Sequence, residues 1–199
     1  MKLGIIAEGE TEYFCVPELA SKLAHTITGR HHLHGVGGDY PWDEVCNKLV
    51  YPYVRAFALQ SLAKRPDKVL IVVDREKRAE CCGSLATLGE KILREKLAKE
   101  NLNITLSIIL PNPQFECWLL ADTELLDKSP LFKRPLSRLI GDATDGKDIL
   151  TIINGNLRPS RNWDKKRYGL AMAKKMDLSK AIVLRRSRSL RKFVKEMTN

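Results

Sequence analysis

The run Val69-Leu70-Ile71-Val72-Val73 is unbroken, apolar and rich in β-branched residues, the pattern of a strand covered on both faces. Such a strand belongs inside a parallel sheet flanked by crossover helices. The run Leu3-Gly4-Ile5-Ile6-Ala7 is a second apolar, strand-like stretch, expected to lie centrally in the same sheet. Acids follow each: Glu8-Gly9-Glu10-Thr11-Glu12 after the first run in the chain, Asp74-Arg75-Glu76 after the second. One edge of the sheet is therefore expected to carry several carboxylates.

The segments around these runs alternate in period. Residues 11–28 read as an amphipathic helix with Thr11 as N-cap, its regular start left open by Pro17. A short strand is expected over 31–36, closed by Gly37-Gly38-Asp39. Helical spacing over 42–62 places Trp42, Val45, Leu49, Val54, Phe57 and Ala58 on one side, with Pro52 expected to kink or split it. A helix over 85–100 leads to a fourth strand over 104–110 and then Pro111-Asn112-Pro113. The order β-α-β-α-β-α-β predicts an α/β fold: a mainly parallel central sheet with helices on both faces and right-handed crossovers. Ligands in that architecture bind outside the carboxyl ends of the strands.

The prolines introduce a helix over 114–120, with Phe115, Trp118 and Leu119 on one face and Glu116 in its first turn. Turn-rich text over 122–146 marks a boundary between an α/β core, residues 1–125, and a basic, mostly helical C-terminal region, residues 126–199, packed on it. That region reads as helical over 163–176 and 187–197, with an extended piece over 180–184.

The formal net charge of the 199 residues is +10, and its placement matters more than its size. Residues 156–199 hold 14 Lys or Arg against three acids, whereas residues 1–155 hold 20 against 21. A neutral body with a basic end suits a polyanion, because each neutralised phosphate releases condensed counterions. A solvated basic helix surface is the alternative. The apolar runs are far shorter than the ~20 residues of a membrane-spanning helix. Five cysteines without metal-type spacing, and no signal-peptide order of charged, apolar and small residues, predict a reduced cytoplasmic protein with no membrane partner. Oligomeric state is not legible.

Asp74 and Glu76 are two apart, so extended backbone would project them to one side, where they could chelate together. Two unit charges about 4 Å apart repel by roughly 4 kcal/mol at an effective dielectric of 20, so such a pair wants a cation. Magnesium takes oxygen ligands and keeps several waters, which suits carboxylates plus a phosphate; manganese suits them equally. The plainer reading is a solvated loop whose acids pair with Arg75, Lys77 and Arg78. Glu10 and Glu12 read as first-turn acids complementing a helix dipole. Glu8 differs, because it closes the strand and precedes Gly9, which permits a tight turn or a close approach. His31, His32 and His34 lack an accompanying thiol pattern and read as ordinary strand or loop histidines rather than zinc ligands. Cys81-Cys82 reads as incidental, and Gly35, Gly37 and Gly38 lack the Lys-Ser/Thr ending of a phosphate loop.

The order of strand, Glu8-Gly9-Glu10-Thr11-Glu12, and a later strand ending in Asp74-Arg75-Glu76 resembles the TOPRIM superfamily, the catalytic domain of topoisomerases, bacterial primases and overcoming-lysogenization-defect nucleases. With Pro111-Asn112-Pro113-Gln114-Phe115-Glu116-Cys117-Trp118-Leu119-Leu120-Ala121-Asp122, the chain looks like a stand-alone prokaryotic TOPRIM-like family of unknown function, encoded near ATPases and defence or mobile-element genes. The resemblance covers the first ~125 residues and continues less specifically into Ser187-Arg188-Ser189 and Phe193. It implies Glu8 as general acid or base or as ligand, Asp74 as the first metal-binding acid, Glu76 in place of the second aspartate of D-x-D, and Glu116 as a further ligand.

The leading expectation is a nuclease dependent on Mg²⁺ or Mn²⁺ and acting on DNA or RNA. Arg161, Lys165, Lys166, Arg167, Arg185, Arg186 and Arg188 are expected to hold the substrate backbone. Two rivals stand beside it: a non-catalytic module that binds nucleic acid or an ATPase partner, and a small-molecule phosphatase on an α/β sheet.

Overall fold

In the computed structural model, strand β3 (Lys68–Val72) lies between β1 (Lys2–Ala7) and β4 (Thr105–Ile109), and β2 (Thr26–His32) completes the sheet beside β1. Every pairing is parallel, so the order β2-β1-β3-β4 needs a crossover between successive strands. Residues 1–34, 36, 40–159 and 161–198 are described. Gly35, expected inside the second strand, and Gly37-Gly38-Asp39, expected to close it, lie outside them.

Alternation along the central strands explains the helices on both faces. Ile6, Val69, Ile71, Val73 and Ile108 enter one core; Leu3, Ile5, Ala7, Leu70, Val72 and Ile109 enter the other, and all are buried. The first core is covered by α2 (Trp42–Glu44), a π-helical stretch Val45–Val50, α3 (Tyr51–Ala58) and α4 (Cys82–Lys99). The chain absorbs Pro52, in the first turn of α3, by widening the preceding turn rather than by breaking. Phe57 of α3 lies over the paired glycines Gly4 and Gly29, where a Cβ would come within 3.0 Å and 2.8 Å of its ring. The sheet is thin there because the ring needs the room.

The second core is covered by α1 (Glu10–Lys22), α5 (Glu116–Leu119), α8 (Ile149–Asn156), α9 (Lys165–Lys175), α10 (Ala181–Arg186) and α11 (Arg188–Thr198). Short helices α6 (Thr123–Asp127) and α7 (Ser137–Ile140) occupy the turn-rich segment. Leu126, Ile153, Met172, Val183 and Phe193 share this core with the strand residues Ile5 and Val72, so a single apolar cluster crosses the boundary expected near residue 125. Lys192 of α11 donates to the Ile108 carbonyl at 2.9 Å and Glu90 accepts from the Ile108 amide at 3.0 Å, which closes part of the outer edge of β4.

Several expectations need correction. The second strand runs over Thr26–His32, not 31–36, and α1 stops at Lys22 rather than 28. Ala24 takes a left-handed φ of 62° just past the helix, and the β-branched Thr26 and Ile27 then pair with Lys2 and Leu3. The piece expected to be extended over 180–184 is helical: Val183 and Leu184 donate to the Lys180 carbonyl, and Val183 is buried. The N-cap of α1 is Gly9 rather than Thr11, and Pro17 sits within the helix without delaying its start.

The C-terminal helices are tied to the Phe115–Asp122 segment and to Asp145. Trp118 Nε1 donates to Ser189 Oγ at 2.8 Å, its ring lies 5.2 Å from that of Phe193, and Ser187 Oγ donates to Asp145 at 2.8 Å. That accounts for Ser187, Ser189 and Phe193 as packing residues.

Candidate active site

Glu8 follows β1, Asp74 lies two residues past β3, and Glu116 opens α5 after β4, so all three stand at the carboxyl edge of the sheet. The backbone N–H of Asp74 donates to Glu8 Oε2 at 2.9 Å, while Glu8 N–H donates to the Val72 carbonyl at 3.1 Å. Thr11 Oγ1 lies 3.4 Å from Glu116 Oε1 and donates to it, and Lys165 Nζ lies 3.4 Å from the same oxygen. Glu116 is 1% exposed, which is tolerable for a carboxylate only with such partners.

The Pro-Asn-Pro segment builds the loop that carries Asp74. The carbonyls of Pro111 and Pro113 accept from the N–H groups of Arg75 and Glu76 at 3.0 and 2.8 Å. Arg75 Nη1 donates to Asn112 Oδ1 at 3.0 Å, and its other donors go to the carbonyls of Ala79 and Glu80. Arg78 donates to the Asp74 and Arg75 carbonyls. These bonds from both arginines brace the loop's backbone, so the solvated-loop pairing considered from sequence does not describe Asp74.

The reading of Glu12 as an acid that only complements the helix dipole is incomplete. Glu12 is in the first turn of α1, but it is 3% exposed and lies against Asp74, with Glu116 close enough to feel its charge. Gly9 makes room for it: a Cβ at position 9 would collide with the Glu12 carboxylate. The signal is present in the sequence as Glu8-Gly9-x-x-Glu12, since a residue three beyond an N-cap points back over it.

These acids raise one another's affinity for protons. Burial, then the charges of Glu12, Glu116 and Glu8, hold Asp74 well above the usual carboxylate range, and a hydrogen bond to Glu12 favours its protonated form. Burial is also the main cause that lifts Glu12 to about 7. Glu8 is lifted to about 8 by burial and by the charge of Glu76, with the Asp74 N–H and Arg78 pulling the other way. Burial works against the charge of Lys165, but Glu116, Glu12 and Asp74 outweigh it and hold the ammonium above its ordinary value.

Glu76 stands apart from Asp74. Its φ of 50° is left-handed, so the alternation assumed for extended backbone does not apply, and its charge acts on Glu8. It lies at the rim, lining a cleft with Lys77, Gln114 and Lys147.

Whether the acids fit a divalent ion can be judged from the donors. Asp74 Oδ1 is enclosed and has no hydrogen-bond partner, and the set is entirely carboxylate oxygen, the chemistry magnesium and manganese prefer. Among the described residues, no three His, Cys, Asp or Glu side chains already surround a common point as a metal-ligating group. The donors fit by chemical type, and their carboxylates would have to rearrange to take an ion together.

The basic residues divide. Lys165 reaches the acids, and Lys166 lies over the Phe14 ring at 4.5 Å. Arg167 lies over Tyr168 at 5.6 Å, and Arg161 and Arg185 are exposed. Arg186 donates to the carbonyls of Gly141 and Ala121, a structural use. Arg188 lines a cavity of about 390 Å³ with Arg75, Asn112, Asp145 and Lys192. His31 stacks on Tyr53 at 4.7 Å, in keeping with an ordinary strand histidine.

Fold and site together define an α/β protein with a carboxylate cluster at the carboxyl edge of a parallel sheet. Solved structures of the C-terminal region of the Xanthomonas campestris pv. campestris OLD protein are similar to this chain. One has 16% identity and a TM-score of 0.42, another 15% and 0.41, each covering 98% of this chain and 95% of that one. No family model and no curated protein matches. Among the described residues, no helix is long and apolar enough to cross a membrane.

Proposed function

We propose that this chain is a metal-dependent phosphodiesterase of TOPRIM type that hydrolyses DNA or RNA. The observation that carries the reading is the convergence of Glu8, Glu12, Asp74 and Glu116 from three strand ends, with the Asp74 Oδ1 left without a partner. Crowding four acids costs free energy, and a hard cation would offset it. The placement of Glu8 beside Asp74 is what the resemblance to TOPRIM proteins requires.

Bound Mg²⁺ or Mn²⁺ would polarise the phosphate and lower the pKa of an attacking water. Asp74, Glu12, Glu8 and Glu116 would hold it. Glu8, titrating at about 8, can keep or release a proton near neutral pH, as a general acid or base must. Glu76 stands at the rim beside Glu8. Lys165 brings the basic C-terminal region, residues 126–199, to the edge of the acids, where its ammonium faces an incoming phosphate.

The test is cleavage of single-stranded and duplex DNA and RNA with Mg²⁺ or Mn²⁺, comparing wild type with Glu8→Ala and Asp74→Ala. Both variants are expected to lose on the order of 10²-fold or more in rate while still binding nucleic acid. Undiminished cleavage by both would end the reading. If calorimetry detects no binding of either ion at millimolar concentration, the non-catalytic adaptor takes its place.

A further inference from the structure

We infer that the surface formed by Tyr13, Phe14 and His32, with Arg30 and Lys166 laid over the first two rings, is a stacking platform for the unpaired bases of a single-stranded nucleic acid. The inference deepens the nuclease reading and rests on it for the meaning of the neighbouring acids; the binding itself does not require a metal.

Three observations carry it. First, α1 turns Thr11, Glu12, Cys15, Val16, Leu19 and Ala20 inward, while Tyr13 and Phe14 stay partly exposed, their rings 5.2 Å apart and edge-to-face. Tyr13 packs against the second core along one side, and both rings keep only part of their surface in water, which is the part left for a ligand. The His32 ring continues the surface, 5.6 Å from Tyr13. Second, the charges over the rings are cations. The exposed Arg30 guanidinium lies 4.4 Å from the centre of the Tyr13 ring, and the exposed Lys166 ammonium lies 4.5 Å from that of Phe14. A guanidinium plane on a ring offers its outer face to a base and its N–H groups to a phosphate.

Third, the platform adjoins the acids through the backbone on two sides. His32 pairs in register with Ala7, whose next residue is Glu8. Lys165 and Lys166 are consecutive, one contacting Glu116 and the other covering Phe14. A strand stacked on the rings would pass directly to the carboxylates.

Stacking discriminates between strands. In a duplex the base faces are already covered by their neighbours, whereas an unpaired strand presents them, and ring stacking with a cationic surround is the usual way to hold it without reading sequence. The platform therefore favours single-stranded substrate, or a frayed or looped segment of a duplex, over intact double helix.

The test uses the full chain in EDTA and fluorescence anisotropy with three labelled probes: oligothymidylate, an abasic strand of equal length, and a duplex. Wild type is expected to bind oligothymidylate roughly tenfold or more tighter than the abasic strand, the scale of one base stacked on one ring. Tyr13→Leu and Phe14→Leu keep apolar bulk and should erase most of that difference while barely changing abasic binding. Arg30→Gln should weaken all probes and flatten the salt dependence. Equal wild-type binding of oligothymidylate and abasic strand overturns the platform, and this comparison holds even if a leucine variant fails to fold. Folded variants, with wild-type circular dichroism, that lose both single-stranded probes alike overturn it too. The nuclease reading fails separately: discrimination in EDTA without cleavage by any ion leaves the platform standing, and cleavage without discrimination leaves the nuclease standing.

Discussion

Glu8 accepts a hydrogen bond from the backbone N–H of Asp74 at 2.9 Å, which fixes the end of β1 to the loop after β3. The bond uses one oxygen of Glu8 on neighbouring backbone. It makes the position of the Asp74 loop depend on Glu8, so the two acids act as a unit. Measurements on either should therefore be read as effects on both.

Metal affinity should rise steeply with pH. Glu12 titrates at about 7 and Glu8 at about 8, and Asp74 is held well above the usual range, so an ion entering the cluster must displace protons. Calorimetry in buffers of different ionisation enthalpy should detect proton release on Mn²⁺ binding near pH 7, with tighter binding at pH 8 than at pH 6. Affinity independent of pH would mean that the ion does not enter among these carboxylates.

The same shifts set the pH dependence of stability. Between the ordinary glutamate value of 4.5 and about 8, folded Glu8 keeps a proton that the unfolded chain has released. Its contribution is fully present below 4.5 and is lost as pH rises through about 8. Glu8→Gln removes this loss, so the melting temperature of the metal-free variant should fall less than that of wild type between pH 5 and 8. A difference of several degrees is expected, at about 2–4 °C per kcal/mol for a chain of this size. Parallel curves would mean that Glu8 does not titrate as described.

Gly9→Ala is expected to damage the site more than the fold. Gly9 has φ −102°, ordinary extended backbone, so alanine meets no backbone strain; its methyl meets the Glu12 carboxylate instead. Mn²⁺ affinity should fall severalfold while the melting temperature moves little. A variant that binds the ion like wild type would remove Glu12 from the ligand set.

Ser189→Ala leaves the buried Trp118 Nε1 without its acceptor at 2.8 Å. A loss of about 1–3 kcal/mol in unfolding free energy follows, measurable by denaturant titration. Trp118→Phe in the Ser189→Ala background removes the orphaned donor and should cost less than the sum of the two single changes.

Much of the architecture can be read from the chain. The segments 3–7, 69–73 and 104–110 form three adjacent strands; the unbroken β-branched run at 69–73 suits a strand covered on both faces, and the short, mostly apolar segments on either side of it pair with it. The second strand is not legible in the same way, because Thr26–His32 has no such run; it pairs at the sheet's edge, half-exposed, where composition constrains little. Glu8 and Asp74 stand out in the sequence as acids at strand ends, and Glu116 as an acid in the first turn of the helix after the fourth strand.

What the sequence determined by itself was local: which segments bury both faces, where each strand stops, and that acids follow. The tertiary structure decided which acids meet. Packing carried Glu12 back over Gly9 onto Asp74, the left-handed turn at Glu76 moved that residue to the rim beside Glu8, and α9 delivered Lys165 to Glu116 from a distant stretch of chain. Local pattern follows from each segment's own side chains and dihedrals. The meeting of charges is fixed by packing between distant segments, and no local period records it.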